Sequence, residues 1–236
     1  MIYDEAFEER KLEEILEQYK EVLEDLKLVI RSLPSKYQHN PEVLDALLRQ
    51  YENKERILTE GLKKPYFARI DFKDEKEFES MCYIGKVGVT DFDQNIVTVD
   101  WRAPIASLYY DSNLGKTSYK APEGIINGTL SLKRQYDIES GKLISFNDVD
   151  TVANDEILRP YLSVNADNRL KNIVSSIQSE QNEVIRKDLT DNIIVQGVAG
   201  SGKTTVALHR IAYLAYNYRN KIKSNQYMII GPNKFF

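Results

Sequence analysis

Between Gln196 and Thr205 the chain reads Gln-Gly-Val-Ala-Gly-Ser-Gly-Lys-Thr-Thr, a glycine-rich turn ending in one ammonium and two hydroxyls. Gly197, Gly202, Lys203 and Thr204 stand at the spacing of a phosphate-binding loop. The chemistry requires these residue types. A triphosphate can be wrapped by main-chain amides only where side chains are absent, and Gly197, Gly200 and Gly202 provide that freedom, including positive φ. The amides of Val198, Ala199, Ser201 and Thr205 and the positive end of the following helix then converge on one anion. Lys203 is the candidate cation for the β and γ phosphates, and the Thr204 hydroxyl the candidate ligand to Mg²⁺. These two are the expected catalytic pair, with ATP and Mg²⁺ as cofactors.

Such a loop must be held between a strand and a helix. Ile193, Ile194 and Val195 read as a buried strand before it, and Val206, Leu208, Ile211, Ala212, Leu214 and Ala215 recur at helical spacing after it. Asp155 to Leu162 and Ala166 to Lys187 read as two further helices. The second carries Gln178 and Gln181, and either amide offers an adenine edge both a donor and an acceptor. A second strand is expected at Tyr227-Met-Ile-Ile-Gly231. A phosphate-loop sheet needs further strands, one of them ending in an acid that holds Mg²⁺. None follows in this sequence, which therefore reads as the front portion of a larger ATPase, inactive in turnover by itself.

The remainder of the chain is of two kinds. From Asp4 to Leu33, Leu12, Ile15, Leu16, Tyr19, Val22, Leu23, Leu26, Val29, Ile30 and Leu33 recur every three to four positions among charges, which predicts one long amphipathic helix ended by Pro34. A polar turn over Ser35 to Asn40 precedes a second helix, with Asn40 as its cap, Pro41 in its first turn and Gly61 at its end. The two should fold back as an antiparallel coiled-coil arm over 1–64.

After Pro65 the period changes to two. Tyr66 to Phe72, Met81 to Val89, Ile96 to Val99, Thr129 to Tyr136 and Leu143 to Phe146 alternate, which predicts a small, mostly antiparallel β domain over 65–150. The predicted organisation is thus multidomain, α+β and α/β: arm, β domain, then a helical lead-in and incomplete P-loop (RecA-like) domain over 151–236. Asp148 and Asp150 read as solvated loop carboxylates, His39 as a residue of a polar turn, and His209 as packing or solvent-facing.

The chain has 236 residues and a formal charge of −4, which argues against a generic nucleic-acid coat. Cys82, the sole cysteine, excludes an internal disulfide and a cysteine-based zinc site, and reads as a buried strand residue. No apolar run is long enough to span a bilayer. The start at Met1-Ile-Tyr-Asp-Glu lacks the pattern of a signal peptide, so a cytoplasmic location is expected.

Taken together, several blocks resemble the HelD-type ATPases, relatives of the UvrD and Rep superfamily 1 helicases that bind RNA polymerase and recycle it. They are Pro65 to Phe72, Asp100-Trp-Arg-Ala-Pro to Tyr110, Leu132-Lys-Arg-Gln135, Lys171 to Val174, Ile177 to Asn182, and Gln196 through Leu214. The resemblance implies that Gln181, rather than Gln178, reads adenine, and that Ile230-Gly-Pro-Asn233 begins the next helicase motif. It implies too that the arm enters the polymerase's secondary channel. The tip, Ser32 to Asn40, has no carboxylate, so a role for acidic tip residues at the polymerase metal does not carry over. Trp101 and Arg102 are expected to fix packing. The alternative is a UvrD-like helicase translocating on single-stranded DNA.

Overall fold

The computed structural model describes residues 5–149 and 181–230, apart from 92, 123, 199, 222, 224 and 225. The chain divides into two compact units, Met1–Ala153 and Asn154–Phe236.

In the first unit, α1 (Glu5–Lys36) is 32 residues long, about 48 Å at the α-helical rise. Its buried stripe is Glu8, Leu12, Ile15, Tyr19, Leu23, Leu26 and Leu33, the three-to-four spacing expected of a helix with one covered face. Pro34 does not end the helix, contrary to expectation; α1 runs on to Lys36. In the last turn a proline costs only one hydrogen bond, to the Ile30 carbonyl, and the Tyr37 amide still closes on Leu33 O at 3.0 Å.

The second helix, α2 (Pro41–Gly61), starts where expected: Pro41 occupies its first turn and the Asn40 side chain accepts from the Val43 amide. Gly61, its last residue, lies against the Tyr19 ring, close enough that a Cβ there would stand 2.9 Å from a ring carbon. The helices are therefore paired from Tyr19 to the tip, and the first turns of α1 run past the end of α2 onto the sheet.

That sheet has seven strands. They are β1 (Ala68–Asp74), β2 (Glu79–Gly85), β3 (Val89–Thr90), β4 (Ile96–Asp100), β5 (Gly115–Ala121), β6 (Gly124–Glu139) and β7 (Lys142–Asp148). The order is β3-β4-β2-β1-β6-β5, with β7 also on β6. All pairs are antiparallel except β2 with β4, where Ile84 faces Val99 in parallel. The alternation in the sequence anticipated most of these strands, but not β5, the first residues of β6 or the parallel pair.

One irregularity decides what each face carries. Between Asp71 and Phe72 the β1–β6 register shifts, so that Asp71 faces Leu132 while Phe72 faces Leu130. Side chains alternate with a period of two, so the extra residue moves Leu130 to the opposite face from Arg134, Tyr136 and Ile138. Tyr136 and Ile138 join Tyr66, Tyr83 and the α1 stripe in one core. Leu130 joins Ala68, Ile70, Phe72, Ile84 and Val99 in a second, covered by Ala106 and Leu108. Those two belong to a 3₁₀ turn at Pro104–Ala106 and to α3 (Ser107–Asp111).

Under α1 lies a buried chain of charges. Glu8, fully buried, accepts from Arg69 Nη1 at 2.9 Å, Arg134 Nη1 at 2.7 Å and Tyr136 OH at 2.7 Å. Asp71 holds Arg69 bidentately at 2.7 and 2.6 Å, and Asp148 holds Arg134 at 2.5 and 2.9 Å. Asp148 is thus an ion-pair partner, not the solvated loop carboxylate expected. It closes β7 opposite Arg134, where an acid meets the guanidinium face to face. Burial alone would lower the Arg69 pKa, and the hydrogen bonds and charge of Asp71 outweigh it, raising it above the usual guanidinium range. Arg134 is raised chiefly by its hydrogen bonds to Asp148.

The expected packing role of Asp100-Trp-Arg holds. Asp100, buried, accepts from Arg102 Nε at 2.8 Å and Nη2 at 2.6 Å, and Trp101 packs against the second core. Cys82 is in β2 as expected but half-buried, and burial pushes its thiol up to about 11.

Candidate nucleotide site

In the second unit, residues 181–186 are helical and α4 spans Lys203–Asn217. Gln178, Asp150, the helix expected over Asp155 to Leu162 and most of the one over Ala166 to Lys187 lie outside the described residues, as does Ala199.

The turn before α4 has the backbone that glycine alone takes up readily. Gly200 has φ +83° and Gly202, which caps α4, φ +84°. A Cβ on Gly202 would also stand 2.9 Å from Gln181 Nε2, and one on Gly197 2.7 Å from Ser201 Oγ. Both neighbours are ends of side chains able to move aside, so at Gly202 it is the positive φ that calls for glycine.

Lys203 folds back over the turn. Its ammonium donates to Gly197 O at 2.9 Å and Val198 O at 2.7 Å, and lies 3.5 Å from Ser201 Oγ. Among the described residues no carboxylate pairs with it, so its charge is offset only by carbonyl dipoles. An anion entering the loop meets this ammonium together with the first-turn amides of α4, which lack intrahelical acceptors. Thr204 and Thr205 are exposed in that turn.

Gln181 meets the same loop from the preceding helix, its Nε2 donating to Ser201 O at 3.2 Å. The structure thus brings Gln181, Gly197, Ser201, Gly202 and Lys203 together. Sequence reasoning missed Arg210. Its guanidinium reaches the carbonyls of Val184, Ile185, Lys187 and Asp188 at 2.7–3.2 Å. An arginine within an otherwise apolar helical run was the available signal.

The strands expected at Ile193 to Val195 and from Tyr227 are absent from the described residues. A strand exists only through a hydrogen-bonded neighbour, and neither run has one among the described residues: Ile194 is 96% and Ile230 83% exposed. The parallel sheet expected around the loop is accordingly not formed among the described residues. A cleft of about 280 Å³ lined by Leu189, Ile211, Leu214 and Tyr227 flanks the far half of α4, away from the loop. Among the described residues no group of three or more His, Cys, Asp or Glu could hold a metal, and no helix is long and apolar enough to cross a membrane.

The family described as DNA helicase IV HelD, N-terminal domain, matches residues 5–157. The chain belongs to the HelD family. The match covers the arm, the sheet and the Glu8 network, so the first unit is a HelD N-terminal domain and the phosphate loop lies beyond it in the chain. No curated protein sequence matches the chain.

Proposed function

We propose that this HelD family member is a superfamily 1 helicase-like ATPase that binds ATP-Mg²⁺ at Gly197–Thr205 and uses its helical arm to dock on RNA polymerase and recycle it. The observation that carries the nucleotide reading is Lys203 poised over a turn with two positive-φ glycines, with Gln181 beside it. Lys203, now bonded to Gly197 O and Val198 O, would hold the β and γ phosphates, Thr204 would ligate Mg²⁺, and Gln181 would read the adenine edge. The bound ATP-Mg²⁺ supplies a phosphoanhydride whose charge the metal and the loop together neutralise. The residues present fit that group, because the loop offers an anion a helix N-terminus and a cation that no carboxylate among the described residues pairs.

Docking is supported by the resemblance to polymerase-recycling relatives and by the way the arm is rooted. Glu8 and Tyr19 fasten α1 to the sheet, Tyr19 OH lying 2.8 Å from Thr98 Oγ1, so a load on the arm is passed to the sheet.

Calorimetry on the full-length protein tests the first part: MgATP binds, and Lys203→Ala abolishes binding. Binding by Lys203→Ala equal to that of the wild type would sink it. Retention of RNA polymerase core on immobilised protein, lost when residues 20–60 are replaced by a short linker, tests the second. The family description names a DNA helicase, which supports DNA translocation as the second reading. That reading requires tight, salt-sensitive binding of single-stranded DNA in place of polymerase retention.

A further inference from the structure

Arg210 lies seven residues after Lys203 on α4 and points away from the phosphate loop, toward the end of the segment that carries Gln181. Its Nη1 donates to Val184 O at 3.1 Å, Ile185 O at 3.2 Å and Lys187 O at 2.7 Å, and its Nη2 to Asp188 O at 2.8 Å. The last carbonyls of a helix have no intrahelical donor and form the negative end of its dipole. A guanidinium, with five donors in a fixed fork, is the side chain that can collect several of them at once.

Segment 181–188 is thereby tied to α4 and its loop at both ends. At one end Gln181 Nε2 donates to Ser201 O at 3.2 Å; at the other stands Arg210. Between them Ile185 and Val206 are buried, at 5% and 3% exposure, and the Arg186 guanidinium lies 5.2 Å from the Tyr213 ring centroid. Apolar contact and a cation–π pair hold the segment near α4 without fixing its position along it. Contacts to four carbonyls from one planar group, with one Nη1 hydrogen shared between two of them, do fix it. The position of the Gln181 amide against Gly202, where even a Cβ would collide with it, depends on that.

We infer that Arg210 is a positioning residue for base recognition: it sets the register of the Gln181 helix against the phosphate loop, and so governs selectivity for the nucleobase while leaving phosphate binding untouched. The inference rests on the nucleotide reading above. Phosphate binding belongs to Lys203 and the loop amides, and the ammonium's own bonds, to Gly197 O and Val198 O, involve no atom of segment 181–188.

The test is calorimetry on the full-length protein with MgATP and with magnesium tripolyphosphate, which has the phosphates but no base. The wild type, Gln181→Ala, Arg210→Gln and the double variant are compared. Arg210→Gln and Gln181→Ala should each weaken MgATP about tenfold, leave tripolyphosphate within about twofold of the wild type, and fail to add in the double variant. Equal losses for both ligands would overturn the inference, since Arg210 would then merely support the unit. So would an unchanged ATP affinity, or full additivity with Gln181→Ala. A wild type that binds neither ligand defeats the nucleotide reading itself, an outcome read before any variant is made.

Discussion

Replacing Glu8 tests the claim that a buried carboxylate roots the arm. Alanine removes four accepted hydrogen bonds, two from guanidinium groups buried at 0% and 4% exposure, one from Tyr136 and a long one, 3.5 Å, from Tyr83. Deleting one member of a buried ionic cluster costs about 3–5 kcal/mol. Here Asp71 and Asp148 remain bidentate on Arg69 and Arg134, so the loss should fall near the lower end, about 3 kcal/mol. Glutamine keeps one oxygen for the two arginines and turns its amide toward the Tyr136 oxygen, losing the charge but few contacts; about half that cost is expected, ~1.5 kcal/mol. Trp101 is the only tryptophan in the chain and packs in the sheet, so its fluorescence follows this unit alone during urea unfolding. With a slope of about 2 kcal/mol per molar urea, Glu8→Ala should lower the midpoint by about 1.5 M and Glu8→Gln by about half as much. A midpoint shift below about 0.5 M for alanine, or equal shifts for the two variants, would refute the reasoning.

Two further outcomes are expected. Gly128→Ala should destabilise the sheet by about 1–3 kcal/mol in the same assay, because a Cβ there would overlap the Lys73 carbonyl oxygen and the Phe72 ring. In an alkaline titration followed at 295 nm, five of the fifteen tyrosines, Tyr19, Tyr66, Tyr83, Tyr109 and Tyr136, should resist ionisation while the protein is folded. Burial raises all five, Tyr19 and Tyr109 to about 12 and the others beyond the ordinary phenol range. The folded state holds these protons more tightly than the unfolded one. Their contribution to stability is therefore complete below about pH 10 and lost as pH rises from there through about 12. Release of all fifteen at ordinary pH without loss of the far-ultraviolet signal would contradict this.

Where one residue's neighbours in sequence decide its fate, the fold was legible. Asn40 before Pro41 set a helix start, Gly61 a helix end, and alternation set most of the strands. What escaped depended on distant partners. β5 reads Gly-Lys-Thr-Ser-Tyr-Lys-Ala, polar on its outer face, and is a strand because residues 124–130 pair with it. Glu8 sits among Glu5, Glu9, Glu13 and Glu14, and its type alone does not set it apart from them. Its distance of four from Leu12 and seven from Ile15 placed it on the buried stripe, a signal that was present. Which cations it would meet, at positions 69 and 134, no local pattern could indicate. At the glycine loop the order reverses: motif and spacing picked out residues that meet in space, Gln181, Gly202 and Lys203 among them, yet not Arg210, which gathers the carbonyls at the end of the preceding helix.

Arg69 and Arg134 are direct cross-strand neighbours on β1 and β6, a like-charge pairing that Asp71 and Asp148 offset from either side and that Glu8, from the first turn of α1, bridges. The seat of the helix and the pairing of these strands are thus coupled, through a bond that joins residues 126 positions apart in the chain. The prong and its platform share one carboxylate, and severing the chain at Pro65 would strip Glu8 of both guanidinium partners while leaving Arg69 and Arg134 with Asp71 and Asp148 alone.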